Sequence, residues 1–254
     1  MKALNNKVIV ISGGTKGVGK LACIEFAKQG AKVVFCGRDK NAGAEILNQI
    51  KLNGSEGLFL EVNLENIDDC RKMFETAYSK YKRIDGFFNY AGITPIASLL
   101  DCDENTFDKV MNINFKSCFF CCQEAIKCMK LSGGGSIVIT GSPHAWGGDK
   151  DRAIYSCSKG CLYTLMEHIA KNYGNEKIRC NYLTMGWTLT EGEISLREKS
   201  GESVQQLIDR ASKAIPMGRM NECSDYIDAL IYLMSDSSYM TTGSNIRVTG
   251  ALYL

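Results

Sequence analysis

The chain has 254 residues, 45% of them apolar and 23% charged, and a formal net charge of +2. This composition suits a globular chain with a sizeable core, and with no block of Lys or Arg it excludes an electrostatically driven nucleic-acid or anionic-membrane partner. No run reaches the roughly 18–20 apolar residues that span a bilayer, and the first apolar run, Val8 to Ile11, ends at Gly13-Gly14, too short for a secretory leader.

Short apolar runs alternate with longer amphipathic ones. Residues Lys7–Ser12 read as a buried strand, Gly17–Gln29 as a helix, Ala31–Cys36 as a strand and Asn41–Leu52 as a helix. A strand over Gly57–Val62, a helix over Ile67–Tyr81 and a strand over Ile84–Asn89 follow. One long helix is expected from Glu104 to about Leu131, then a strand over Ser136–Thr140, a helix over Ala153–Tyr173 and a strand over Ile178–Leu183. Residues Thr190–Lys213 read as one polar helix, Cys223–Ser235 as another, and Asn245–Val248 as a last strand. Such alternation predicts an α/β fold: a Rossmann-type, doubly wound, seven-stranded parallel sheet with helices on both faces, formed as one domain over residues 1–254.

Twelve cysteines occur. Without an export signal they are expected to be reduced, buried small hydrophobes of a cytoplasmic protein. Cys118 and Cys121 form a C-x-x-C, but no second pair or nearby His completes a metal set, so no metal is expected and the pair is read as core or subunit-interface packing.

The chemistry starts where the first strand ends. Ser12-Gly13-Gly14-Thr15-Lys16-Gly17-Val18-Gly19 joins strand to helix, with Gly13, Gly17 and Gly19 spaced as G-x-x-x-G-x-G. Glycines in that position allow a tight turn and bring backbone close to a pyrophosphate at the helix N-terminus. After the second strand, folds that bind NAD tend to place an acid on the ribose 2′-OH. Here the residues are Gly37-Arg38-Asp39. Arg38, with Lys16, suits a 2′-phosphate, so NADP(H) is the expected cofactor. In the alternative, both cations are solvated and Asp39 holds the ribose of NAD(H).

Tyr155 and Lys159 lie four apart at the start of a predicted helix and share one face. A phenol titrates near 10, and a close ammonium lowers that value, so the pair can act as a general acid/base. Ser142 follows the strand Ser136–Thr140, at the end of a strand where ligands of open α/β sheets bind, and its hydroxyl can hold a substrate oxygen.

In this order the motifs resemble those of the short-chain dehydrogenase/reductase family along nearly the whole chain. The glycine loop is similar to the family's T-G-x-x-x-G-x-G, with Ser12 for Thr. Asn89-Tyr90-Ala91-Gly92 resembles N-N-A-G, and Met185-Gly186-Trp187-Thr188-Leu189-Thr190 resembles P-G-x-x-x-T. Asn114, Ser142, Tyr155 and Lys159 match the family's catalytic tetrad. The resemblance implies interconversion of a secondary alcohol and a ketone by hydride transfer. Tyr155 would serve as acid/base, Ser142 on the substrate oxygen, Lys159 on the tyrosine and the nicotinamide ribose, and Asn114 on a relay water. Cofactor contacts are implied for Gly13, Thr15, Lys16, Gly17, Val18, Gly19, Arg38, Asn63, Leu64, Asn89, Ala91, Gly92, Tyr155, Lys159, Gly186, Thr188 and Thr190. Substrate contacts are expected from Ser142, His144, Trp146, Tyr155 and Trp187, an aromatic wall suited to a sugar, a polyol or a steroid ring.

The chain departs from the family pattern at Asn63, where Asp is usual, and at Tyr90, Met185 and Val248-Thr249-Gly250-Ala251. These positions touch cofactor affinity and loop shape rather than the catalytic groups. Residues 187 to about 215 correspond to the family's substrate lid, and its charges Glu191, Glu193, Arg197, Glu198 and Lys199 are read as a solvated helix face. The family's habit implies a homotetramer or homodimer, with the apolar face near Phe115–Cys122 as a contact. Two other readings stay open: a 3-ketoacyl reductase, weakened by Ser142-Pro143-His144 where Met-Gly-Asn is usual nearby, and a non-catalytic dinucleotide sensor or scaffold on the same fold.

Overall fold

A computed structural model of the chain describes residues 2–199 and 201–253; Ser200, inside the expected lid, and the Lys199 side chain lie outside the described residues. Seven strands form one parallel sheet: β1 (Val8–Ser12), β2 (Lys32–Gly37), β3 (Gly57–Glu61), β4 (Gly86–Asn89), β5 (Gly135–Gly141), β6 (Ile178–Met185) and β7 (Asn245–Val248). Their order is β3-β2-β1-β4-β5-β6-β7, a doubly wound parallel sheet of the kind that the alternating pattern predicts.

Alternation along each strand builds two cores. Val8 and Val10 of β1, Val34 and Cys36 of β2, and Ile137 and Ile139 of β5 face one layer of helices. That layer comprises α3 (Ile67–Tyr81), α5 (Ser117–Ser132) and α6 (Ala153–Asn172). The intervening residues Ile9, Ile11, Val33, Phe35 and Val138 face the other layer. There lie α1 (Gly17–Lys28), α2 (Lys40–Leu52) and α9 (Ile227–Met234). Strands buried on both faces read as nearly continuous apolar runs, which is why β1 is Val-Ile-Val-Ile before its final Ser. Cys36, Cys70, Cys118, Cys121, Cys122 and Cys180 pack as hydrophobes in the first core, and every cysteine is a free thiol. Among the described residues, no helix is long and apolar enough to cross a membrane.

Two helical expectations need correction. The single helix expected over Glu104–Leu131 is α4 (Glu104–Val110), a π-helical segment (Met111–Lys116) and then α5. A π-turn leaves no mark in hydrophobic spacing, and such turns often mark functional sites. The single polar helix expected over Thr190–Lys213 is two, α7 (Glu191–Lys199) and α8 (Val204–Ala214). Ser203 starts α8 with a capping box, its hydroxyl accepting from Gln206 N at 3.3 Å while Gln206 Oε1 accepts from Ser203 N at 2.9 Å. That S-x-x-Q signal was present in the sequence.

The end of β5 is built around Tyr182 of β6. Its buried ring lies where a Cβ on Gly141 would stand, and its hydroxyl donates to the Lys159 carbonyl of α6 at 2.9 Å. Tyr182 thus ties the last residue of β5 to the helix that carries Tyr155. Gly141→Ala is expected to destabilise the fold by about 1–3 kcal/mol through overpacking. A lowered urea midpoint at unchanged slope is the measurement.

Candidate active site

The sheet order reverses between β1 and β4, and the cleft opens above the C-terminal ends of those strands. Its volume is about 1640 Å³, larger than the roughly 300–1,000 Å³ of a usual small-ligand pocket.

One arm carries the glycine loop. Gly13 has φ +76°, and a Cβ there would lie 2.9 Å from Ala91 Cα, so β1 and β4 diverge around a backbone contact that only glycine allows. Lys16 precedes α1 without a side-chain cap, and the first turn holds no acid. The helix therefore presents unsatisfied N–H groups and its positive end to the cleft. Thr15, Lys16 and Gly17 line the cleft, whereas Val18 and Gly19 are buried behind it. Val18 N donates to the Tyr90 hydroxyl at 3.3 Å, so the Tyr90 that departs from the family pattern anchors this loop. Burial pushes the Tyr90 phenol up to about 12. Asn89 is also buried behind the cleft: its Oδ1 accepts from Ser12 Oγ at 3.0 Å, and its Nδ2 has no protein partner.

Arg38 and Lys16 are exposed and line the cleft together. Asp39 does not line it. Its carboxylate caps α2, accepting from Ala42 N at 3.0 Å. Asn63 and Leu64 line the same end, with Asn63 Oδ1 accepting from Glu65 N at 3.2 Å. Ala91, Gly92, Gly186, Thr188 and Thr190 line the middle.

The other arm gathers the tetrad. Tyr155 and Lys159 stand on the first turns of α6, and Ser142 follows β5. Ser142 is 4% exposed, its Oγ accepts from His144 N at 3.2 Å, and its hydroxyl is close enough to the Tyr155 phenol to lower that group's pKa. Asn114 sits in the π segment. Its Oδ1 accepts from Ile93 N at 2.8 Å, and its Nδ2 donates to Ile93 O at 2.9 Å and Ser158 Oγ at 3.1 Å. Both amide N–H groups are thus engaged, so towards a relay water this side chain has only acceptor capacity left. A Cβ on Gly92 would lie 3.4 Å from Asn114 Oδ1 and 4.0 Å from Lys159 Nζ, which shows how closely these groups converge.

The electrostatics differ from the expectation of a lysine-lowered phenol. Lys159 Nζ lies 5.7 Å from the Tyr155 ring centroid and donates to the Thr140 carbonyl at 2.9 Å. Burial lowers Lys159 to about 8. Burial raises Tyr155 above its ordinary value, against the Ser142 hydroxyl and the positive charge of Arg152, which lower it; Glu193 raises it further. Desolvation of the phenolate therefore dominates in this arrangement.

Of the expected substrate wall, His144 and Trp187 line the cleft. The His144 ring lies 5.8 Å from that of Tyr155 and 5.6 Å from that of Tyr253. Trp146 is a correction. Turns at Ala145 and Trp146 direct it away from the main cleft, onto Tyr163 at 5.2 Å and beneath Arg247 at 4.9 Å, in a separate cavity of about 330 Å³. Two of the expected solvated charges, Glu193 and Arg197, are a second correction, while Glu191 and Glu198 are exposed as expected. Trp187 Nε1 donates to Glu193 at 2.8 Å, Arg197 pairs with the same carboxylate at 2.8 Å, and Arg210 stacks over the Trp187 ring at 4.5 Å. The indole draws these charges inward instead of leaving them solvated. Arg152, Asp149, Arg210 and Tyr253 also line the cleft and went unnoticed in the sequence. Only Arg152, one helical turn before Tyr155, carried a local signal.

The family model for short chain dehydrogenases matches residues 7–201. The chain is a short-chain dehydrogenase/reductase. An L-rhamnose 1-dehydrogenase (NAD(P)(+)) of Azotobacter vinelandii is 29% identical over 99% of this chain and 98% of its own. A 3β-hydroxysteroid dehydrogenase of Mediterraneibacter gnavus is 31% identical over 81% of this chain and 73% of its own. The crystal structure of an actinorhodin polyketide ketoreductase variant with NADPH shares the fold, with a TM-score of 0.93 at 22% identity, covering 100% of this chain and 99% of that one. The protein is therefore a family oxidoreductase acting on CH–OH groups.

Lys159 links this site to stability. Its folded pKa is depressed to about 8 from 10.5, so the folded state carries the cost of a buried cation in full below pH 8 and loses it as pH rises to 10.5. Lys159→Met is expected to raise the melting temperature at pH 7, by an amount that shrinks between pH 8 and 10.5. Thermal unfolding across that range is the check.

Proposed function

We propose that this family member is an NADP(H)-dependent oxidoreductase that interconverts a secondary alcohol and a ketone, with Tyr155 as general acid/base. The observation that carries the reading is that Tyr155 and Lys159 line a cleft whose other arm holds the glycine loop, Lys16 and Arg38, with Ser142 buried next to its lining residues Gly141, Pro143 and His144.

The residues present fit a dinucleotide. The start of α1, which Lys16 leaves without a cap of its own, and the Gly13 turn form a cradle that a side chain would fill. NADP(H) supplies or accepts the hydride when bound. Gly13, Thr15 and Gly17 would hold the pyrophosphate, Lys16 and Arg38 the 2′-phosphate, and Asn63 and Leu64 the adenine end. Val18, Gly19 and Asn89 act from behind by shaping the loop. Ala91, Gly92, Lys159, Gly186, Thr188 and Thr190 would flank the nicotinamide and its ribose. The capping role of Asp39 supports NADP(H) over NAD(H), because that carboxylate is committed to α2.

Ser142 hydrogen-bonds the substrate oxygen as charge develops there. Tyr155 gives that oxygen its proton in reduction and takes it back in oxidation. Asn114 holds the π segment against Ile93 and can steady a relay water through acceptor oxygens. His144 and Trp187, beside Asp149, Glu193 and Tyr253, offer ring faces and hydroxyl acceptors, a lining that favours a sugar or polyol. A hydroxysteroid is the second reading, supported by the relative of that activity. An oligomer built through the helical face where Phe119 is 41% exposed accords with the family's habit.

Titration with NADPH and NADH, followed by nicotinamide fluorescence, tests the cofactor. NADPH is expected to bind more tightly, and Lys16→Ala with Arg38→Ala to weaken NADPH by about 10–100-fold while sparing NADH. Preference for NADH in the unaltered protein would overturn the assignment. Tyr155→Phe is expected to lower turnover of a screened alcohol by about 10²–10⁴-fold and to leave NADPH binding intact. A sensor or scaffold would be indifferent to that change.

A further inference from the structure

Arg152 is a cation where the fold has little reason to hold one. It is 6% exposed, although it stands at the N-cap of α6, three residues before Tyr155. Its Nη1 donates to the carbonyls of Thr94 and Pro95 at 3.1 and 3.2 Å. Its backbone N donates to Asp149 O at 2.9 Å, and Ala97 N donates to Asp151 O at 3.0 Å, beside a parallel bridge between Ala97 and Arg152. The guanidinium is therefore tied to the segment after β4, and the backbone of the loop after β5 is bridged to the same segment, on the wall of the cleft. The carboxylate paired with it, Asp151, is 3.9 Å away and half-exposed. A buried charge with so little compensation is costly, and such costs collect at functional sites.

We propose that Arg152 is a positioning residue for proton transfer: its fixed positive charge favours negative charge on the Tyr155 oxygen while that oxygen exchanges its proton with substrate. The proposal rests on Tyr155 being the general acid/base. In reduction the Tyr155 O–H bond breaks, its proton joins the substrate oxygen as the carbonyl carbon takes hydride from NADPH, and the phenolate recovers a proton from water.

Several groups face Tyr155. Lys159 and Arg152 do so on its own helix, Ser142 and His144 from the loop after β5, Glu193 from α7, Tyr90 beyond β4 and Tyr182 from β6. Lys159 directs its hydrogen bond to Thr140 instead, and Glu193 opposes the phenolate. Tyr90 and Tyr182 are phenols that burial keeps protonated. Arg152, buried on the cleft wall one helical turn before Tyr155, is thus the fixed charge whose sign suits the transfer. His144 feels the same field. Burial lowers its pKa first and Arg152 adds to that, against Asp149 and Asp151. Its Nδ1 accepts from Asp149 N at 3.4 Å, which favours the neutral ring.

The test compares the unaltered protein with Arg152→Gln, Arg152→Lys and Arg152→Met. His144 is one of two histidines, so proton NMR follows its titration directly, with His144→Asn for assignment. In Arg152→Gln the His144 titration is expected to move to higher pH, and the rising limb of kcat/KM for alcohol oxidation to move the same way, because phenolate forms later. Arg152→Lys keeps the charge and is expected to leave both near their original positions. Arg152→Met replaces Gln if that variant does not fold. An unmoved His144 titration, an unmoved limb, or a Lys variant that behaves like Gln overturns the proposal. If the unaltered protein oxidises no alcohol while His144 still moves, the functional reading fails and the field of Arg152 stands.

Discussion

The cleft depends on the contact between Gly13 and Ala91. Parallel pairing of β1 with β4 brings the two strand ends side by side, and the chain then leaves them in different directions. The gap between them becomes a binding crevice only because the backbone turns at Gly13 with positive φ and no side chain fills the space. The Ser12–Asn89 hydrogen bond and the Tyr90 hydroxyl on Val18 N then hold the glycine loop to β4. Ser12 and Tyr90 both depart from the family pattern, yet both serve this junction. A phenol reaching back to the start of α1 does from β4 what no side chain of the loop does for itself.

Burial governs the chemistry on the opposite arm. A phenol, an ammonium and a guanidinium share a dry wall, and each charged form is disfavoured by leaving water. Lys159 is the clearest case, because its pKa falls towards neutrality while one of its three donors is held by a strand carbonyl. Tyr155 moves the other way for the same reason. What tips the balance is which neighbours are fixed in place, and the fixed neighbours here are Ser142 and Arg152. The Tyr-x-x-x-Lys spacing identifies the pair without revealing where the lysine directs its hydrogen bond.

The segment over residues 187–215 shapes the other wall of the cleft. Leu207, Ala211, Ile215 and Met220 form a small core of their own beneath Trp187 and Leu189, so α8 packs as a unit over the cleft. Glu193, Arg197, Arg210 and Glu202 are joined around the indole by short ion pairs. Ion pairs at a partly exposed site contribute little to stability individually. Their effect is to orient the cleft-facing wall. From the other side, Tyr253 closes against His144 and donates to Asp149 at 3.2 Å.

The sequence by itself determined the parallel sheet with helices on both faces and the candidate groups Ser142, Tyr155 and Lys159. These follow from local signals: buried strands read as apolar runs, amphipathic helices recur with their period, and glycines punctuate the turns. Boundaries such as Val8–Ser12 and Ala153–Asn172 fell within a residue or so of those expected. The capping box at Ser203 was equally local and shows that the break between α7 and α8 was legible too. The π-turn around Asn114, the outward turn of Trp146, the inward turn of Glu193 and the approach of Tyr253 to His144 were decided only by tertiary structure. Each depends on a contact between residues far apart in sequence, or on a backbone hydrogen-bond register that side-chain periodicity does not encode. The same holds for the electrostatics. Residue type sets the ordinary pKa of Tyr155 and Lys159, but how far each is taken out of water, and which fixed charge stands beside it, exists only once the chain has folded.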